Sequence, residues 1–64
     1  MITNKIRQYR ENRKLTQDDL ARSVGVSRQT IIAMEKGNYE PSLGLAIKLA
    51  RCFNVRLEEL FMLK

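Results

Sequence analysis

The sequence has no histidine and a single cysteine, Cys52. One thiol cannot close an internal disulfide, and one thiol without an imidazole cannot assemble a zinc site. A catalytic thiol needs a base or cation arranged around it, so Cys52, one helical turn from Lys48, reads as a packed or surface residue. Proline occurs once, and no linker, repeat or low-complexity stretch interrupts the chain. No run of 18 apolar residues exists, so no membrane-spanning helix is expected. Residues Met1 to Arg7 lack the apolar stretch of a signal peptide. A lone cysteine with no targeting segment fits the cytoplasm. Facing carboxylates and glycine-rich phosphate loops are also missing, which argues against an enzyme and implies no cofactor and no small-molecule effector site.

What is present fits one domain over residues 1–64. A chain this short buries only about 60% of its surface on folding. With disulfides and metals excluded, close helix packing or self-association must stabilise it. Lys and Arg number 12 against 7 Asp and Glu, a net charge of +5. That balance favours an anionic partner, nucleic acid above all.

Caps recur at short intervals and divide the chain into helices. The first is expected from just after Thr3 or Asn4 to about Asn12, with Ile6, Tyr9 and Arg13 on one side. Thr16 is an N-cap for the second, with Asp19 three residues on as the acid of a capping box. Leu20, Ala21 and Val24 form its inner stripe, and Gly25 stands where a left-handed cap is wanted. Ser27 caps the third helix, expected from Arg28 to about Lys36 and ended by Gly37. After a loop at Asn38-Tyr39-Glu40-Pro41, Ser42 caps the fourth, which turns Leu45, Ala46, Leu49, Ala50 and Phe53 inward. Asn54 can take the left-handed conformation behind it. A last helix spans about Leu57 to Phe61. The expected fold class is all-α, a five-helix bundle. Ile2-Thr3 and Phe61-Met62-Leu63 are candidates for a tiny β-ribbon joining the ends.

The second and third helices are joined by Gly25-Val26-Ser27 alone, so they must pack at a steep angle. This is helix-turn-helix geometry, spanning about residues 17–36, in which the second helix enters the major groove of DNA. On a helical wheel Ile31 and Met34 point inward. Arg28, Gln29, Ile32, Ala33 and Lys36 share an outer arc of about 140° with no acidic residue. A carboxylate there would be repelled by phosphates. Arg pairs with guanine O6 and N7, Gln with adenine N6 and N7, and apolar side chains such as Ala33 and Ile32 touch a thymine methyl. Ser27 and Thr30 can donate to phosphates. Gln17 opens the second helix, whose free amides attract an anion. Lys36, Asn38 and Tyr39 can hold the opposite backbone, and Ser42 presents another helix start.

The segments Leu15 to Ala21, Val24 to Ile31, Glu35-Lys36-Gly37 and Pro41-Ser42 closely resemble the xenobiotic-response-element, or phage repressor/Cro-like, helix-turn-helix family. The resemblance runs from about Ile6 to Phe61 and is nearest to minimal members that are little more than the DNA-binding domain. It implies a bundle of the phage-repressor type. It implies base reading by Arg28, Gln29 and Ala33, and backbone contacts by Gln17, Ser27, Lys36 and Asn38. It also implies an ion pair between Arg10 and Glu35, and a homodimer through the C-terminal helix. Three positions depart from the pattern. Lys14 stands where glycine is common, which predicts left-handed strain. Ala33 is short. Arg56 replaces the usual Ser or Thr cap, which predicts a frayed last helix.

Val55, Leu57, Phe61, Met62 and Leu63 make an apolar end at about residues 55–64. They either complete the monomer core or form a dimer patch, and the dimer is favoured. The leading expectation is a sequence-specific regulator of transcription, a repressor that binds a two-fold operator in double-stranded DNA. The competing one is an antitoxin-like interaction module that binds DNA secondarily. That role calls for a toxin-wrapping tail, and no such segment is seen before Lys64.

Overall fold

Three side-chain hydroxyls set the helix starts in the computed structural model, which describes residues 2–64. Helices α1 (Ile6–Asn12), α2 (Gln17–Val24), α3 (Arg28–Glu35), α4 (Leu43–Phe53) and α5 (Leu57–Leu60) are framed by strands β1 (Ile2–Asn4) and β2 (Phe61–Leu63). The Thr16 hydroxyl accepts the Asp19 N–H at 3.0 Å, and the Asp19 carboxylate accepts the Thr16 N–H at 3.0 Å. Two amides orphaned by the helix start are thereby satisfied. Ser27 does the same for Thr30, and Ser42 for Leu45, each at 3.2 Å.

Left-handed residues end the helices. Gly25 has φ 77° and lets the Val26 N–H reach back to the Ala21 carbonyl at 3.0 Å. A Cβ at Gly25 would meet nothing within 4 Å, so the need for glycine there is conformational and not one of space. Asn54 closes α4 at φ 56°, and Lys14 sits at φ 57° between α1 and α2.

Some expected boundaries shift. The chain enters α1 one residue later than expected, because β1 runs through Asn4 and the Lys5 N–H bonds the Leu60 carbonyl at 2.9 Å. Helix α3 stops at Glu35, with Lys36 as its C-cap. Helix α5 stops at Leu60, because Phe61 becomes extended (φ −122°, ψ 135°) and opens β2. The start of α5 is also held, where fraying was expected. Arg56 has no acceptor to offer, but the Glu59 carboxylate accepts the Arg56 N–H at 2.8 Å. The acid three residues on supplies the half of the capping box that the arginine leaves available.

The core gathers one stripe from each helix. Ile6, Leu20, Ala21, Val24, Ile31, Met34, Leu45, Leu49, Ala50, Phe53 and Leu60 form one buried cluster. Tyr9 stacks on Phe53 with ring centroids 5.7 Å apart. The Arg13 guanidinium donates to the carbonyls of Phe53 and Cys52, satisfying the C-terminal end of α4 from the end of α1. The antiparallel ribbon pairs Ile2 with Leu63, Thr3 with Met62 and Asn4 with Phe61.

The apolar C-terminal end divides. Val55, Leu57 and Phe61 pack against the core as half-buried residues, and Met62 is also half-buried. Leu63 stands out at 85% exposed. The larger uncovered apolar surface belongs to α4, where Leu43 is 69% and Ile47 41% exposed. Leu43 borders a groove of about 250 Å³ shared with Ile2, Pro41, Ala46, Leu57 and Phe61.

Candidate nucleic-acid interface

Helix α3 is fixed from within by Ile31 and Met34, both fully buried. That placement decides which residues face out. Arg28, Gln29 and Lys36 are exposed, while Ile32 and Ala33 are half-buried. Arg28 and Gln29 occupy the first turn, directly after the Ser27 cap. The Ser27 and Thr30 oxygens lie 3.0 Å apart. One hydroxyl hydrogen bridges them, which leaves the other for an outside acceptor.

Helix α3 carries one acid, Glu35, and the fold turns it inward. Arg10 Nε donates to Glu35 Oε2 at 2.7 Å and Arg10 Nη2 to Oε1 at 3.2 Å. The side chains are 11% and 6% exposed. The Arg10 guanidinium also donates to the Leu15 carbonyl at 2.8 Å. Its pKa is raised above the ordinary guanidinium range, chiefly by the hydrogen bond to Glu35. The outer face of α3 is left without negative charge.

Gln17 enters the same network. Its amide Nε2 donates to Glu35 Oε1 at 3.1 Å, a contact that depends on how α2 and α3 cross and that no sequence pattern announced. One N–H of that amide remains for another acceptor. Gln17 also lines an open cleft of about 750 Å³ with Arg10, Lys14, Leu15, Thr16, Asp18 and Arg28. The cleft joins the start of α2 to the start of α3. Lys14, read from the sequence only as a strained turn residue, is thereby brought beside Gln17 and Arg28. The available signal was its basic side chain two positions before the Thr16 cap. Asp18 lies 3.6 Å from the Arg22 guanidinium, which it shares with Asp19 at 3.2 Å.

Beyond the other end of α3 lie Lys36, Asn38 and Tyr39, all exposed. Ser42 is exposed and uses its oxygen as an acceptor from Leu45, so its hydroxyl hydrogen is not consumed by the cap. The structure thus collects Gln17, Lys14 and Arg28 at one cleft and sets Lys36, Asn38 and Tyr39 past the opposite end. Val55, Leu57, Phe61, Met62 and Leu63 take no part in this face. Among the described residues, no group of three or more Cys, Asp or Glu side chains is placed to hold a metal ion, and no helix is long and apolar enough to cross a membrane.

Two short helices crossing over a three-residue turn, the second with a basic outer face, agree with a direct comparison. The sequence profile of the helix-turn-helix family matches residues 6–60. The chain belongs to the helix-turn-helix family. An uncharacterized HTH-type transcriptional regulator of Methanocaldococcus jannaschii is 58% identical over 61 residues, 95% of this chain and 92% of that protein. The cryptic phage CTXphi transcriptional repressor RstR of Vibrio cholerae is 40% identical over 60 residues, 94% of this chain and 54% of that protein. Among solved structures, the restriction-modification controller protein C.AhdI from Aeromonas hydrophila superposes with a TM-score of 0.78 at 30% identity, over 84% of this chain and 82% of that one. This helix-turn-helix chain therefore has the phage-repressor type of fold that its motifs imply. Its family and relatives are regulators of transcription and not enzymes.

Proposed function

We propose that this protein is a transcriptional regulator that binds double-stranded DNA sequence-specifically, with α3 in the major groove. The observation that carries the reading is the division of charge on α3. Arg28 and Gln29 are exposed in its first turn, while Glu35 is held inward by Arg10 and Gln17. Arg28 and Gln29 read base edges, and Ala33 and Ile32 add thymine-methyl contact. Gln17, Ser27, Thr30, Lys36, Asn38, Tyr39 and Ser42 contact the sugar-phosphate backbone, joined by Lys14. Repression is the favoured outcome, since a relative that matches 94% of the chain is a transcriptional repressor. The site of action is the cytoplasm.

Two side chains per subunit read too few bases for a unique site, so the protein acts as a homodimer on a two-fold operator. The exposed apolar surface of Leu43 and Ile47 on α4, rather than Leu63 alone, supports that association. Two copies then present α3 to successive major grooves about 34 Å apart. Selection of bound sites from random duplexes tests this reading. A two-fold motif with half-sites one helical turn apart is expected. Recovery of unenriched sequence would overturn it.

A further inference from the structure

Asn4 joins the terminal ribbon to the backbone of α3. It lies in β1 opposite Phe61. Its amide Nδ2 donates to the Met34 carbonyl at 2.9 Å, and its Oδ1 accepts the Ile6 N–H at 3.1 Å. The acceptor is well defined. Helix α3 exits through left-handed Gly37, whose N–H bonds the Met34 carbonyl at 3.0 Å, while the Asn38 N–H goes back to Ala33 at 2.9 Å. That double bond pattern is a Schellman end. It uses one lone pair of the Met34 oxygen, and Asn4 takes the other.

The side-chain hydrogen bonds from other elements therefore meet α3 at its C-terminal end. Arg10 and Gln17 hold the Glu35 side chain, which can swing about its own torsions. Asn4 holds the main chain. Six residues separate Met34 from Arg28, about 9 Å along the helix at 1.5 Å per residue. A tilt of about 6° at the held end displaces the first turn by about 1 Å, enough to spoil a recognition geometry that tolerates about 0.5 Å. We infer that Asn4 is a positioning residue for base reading, which sets the tilt of α3 against the ribbon and so the reach of Arg28 and Gln29. This rests on α3 being the base-reading helix.

Two variants test it. Asn4→Asp keeps the acceptor for the Ile6 N–H and removes the donor to Met34. Asn4→Ala removes both. The first readout is the ratio of affinities for a selected operator and a random duplex at one salt concentration. Loss of folded protein, or the charge added by Asp, acts on both duplexes alike and cancels in the ratio. Both variants are expected to lower the ratio about tenfold, within what one spoiled bidentate base contact would cost in discrimination. The second readout needs no DNA. Residual dipolar couplings of the α3 amides should show its axis rotated relative to α4 in both variants. An axis that stays in place overturns the inference, and so does an unchanged ratio where the wild type prefers its operator. A rotated axis in a protein whose wild type shows no operator preference upholds the tether and overturns the base-reading role of α3.

Discussion

Arg10 and Glu35, twenty-five residues apart, meet through two hydrogen bonds of 2.7 and 3.2 Å with their side chains largely covered. The pair ties α1 to α3, and Gln17 adds α2 to the same carboxylate. Removing one partner leaves the other buried and uncompensated, which costs about 3–5 kcal/mol. Glu35→Ala is thus expected to remove a large share of a small domain's stability. Arg10→Met with Glu35→Leu should cost less than Glu35→Ala or Arg10→Ala alone, because no charge is stranded. Urea denaturation of the three proteins checks the order. A double variant less stable than both singles would contradict it.

Lys14 holds φ 57° without being glycine or asparagine. The left-handed conformation costs an L-residue about 1–2 kcal/mol, part of which glycine gives back through its freer unfolded chain. Lys14→Gly is expected to raise unfolding free energy by about 0.5–1 kcal/mol, with no gain from Lys14→Ala. Both changes should reduce the salt dependence of DNA binding by about one phosphate contact. Equal stability of the Gly and Ala variants would refute the strain.

The Asp19 carboxyl lies below its ordinary 3.8, first through its backbone hydrogen bond with Thr16, then through the Thr16 side chain, with Arg22 adding less. A value depressed in the folded state stabilises the protein above the unfolded value and loses that contribution as pH falls through the folded one. The Tm gap between wild type and Asp19→Ala should be full near neutrality. It should narrow below about pH 4 and close in stronger acid. A gap that keeps its size across that range would show that the carboxylate contributes nothing to the cap.

Local features were the legible ones. Thr16, Ser27, Ser42, Gly25 and Asn54 act within four or five residues of themselves, so their chemistry stands in the sequence. The inward stripe of α4 was equally plain from its period. What depended on tertiary placement was hidden. The amide of Gln17 reaches Glu35 only because α2 crosses α3 beside α1. Glu59 rescues the start of α5, a role masked by attention to Arg56. Leu43 and Ile47 recur at i, i+4 out of phase with the inward stripe, and that mismatch was the available signal for an outer apolar face. Arg28 and Gln29 were placed by wheel position alone, since Ile31 and Met34 leave α3 one way to sit.

The two candidate dimer surfaces can be separated. Leu43 borders the groove on α4, whereas Leu63 lies at the end of the ribbon. Leu43→Glu should shift sedimentation equilibrium to monomer with helical circular dichroism retained, since the side chain is 69% exposed and outside the core. Leu63→Glu should leave the dimer intact. The reverse pattern would move the interface to the ribbon.

The central claim is that the first turn of α3 reads bases. Affinity of Arg28→Ala and Lys36→Ala for a selected operator, its single-base variants and a random duplex addresses it most directly. Arg28→Ala should weaken operator binding by about 1–3 kcal/mol and erase preference at one base position, with little change on random DNA. Lys36→Ala should weaken all duplexes alike and flatten the salt slope. An Arg28→Ala protein that loses affinity uniformly, with base preference intact at every position, would contradict the account.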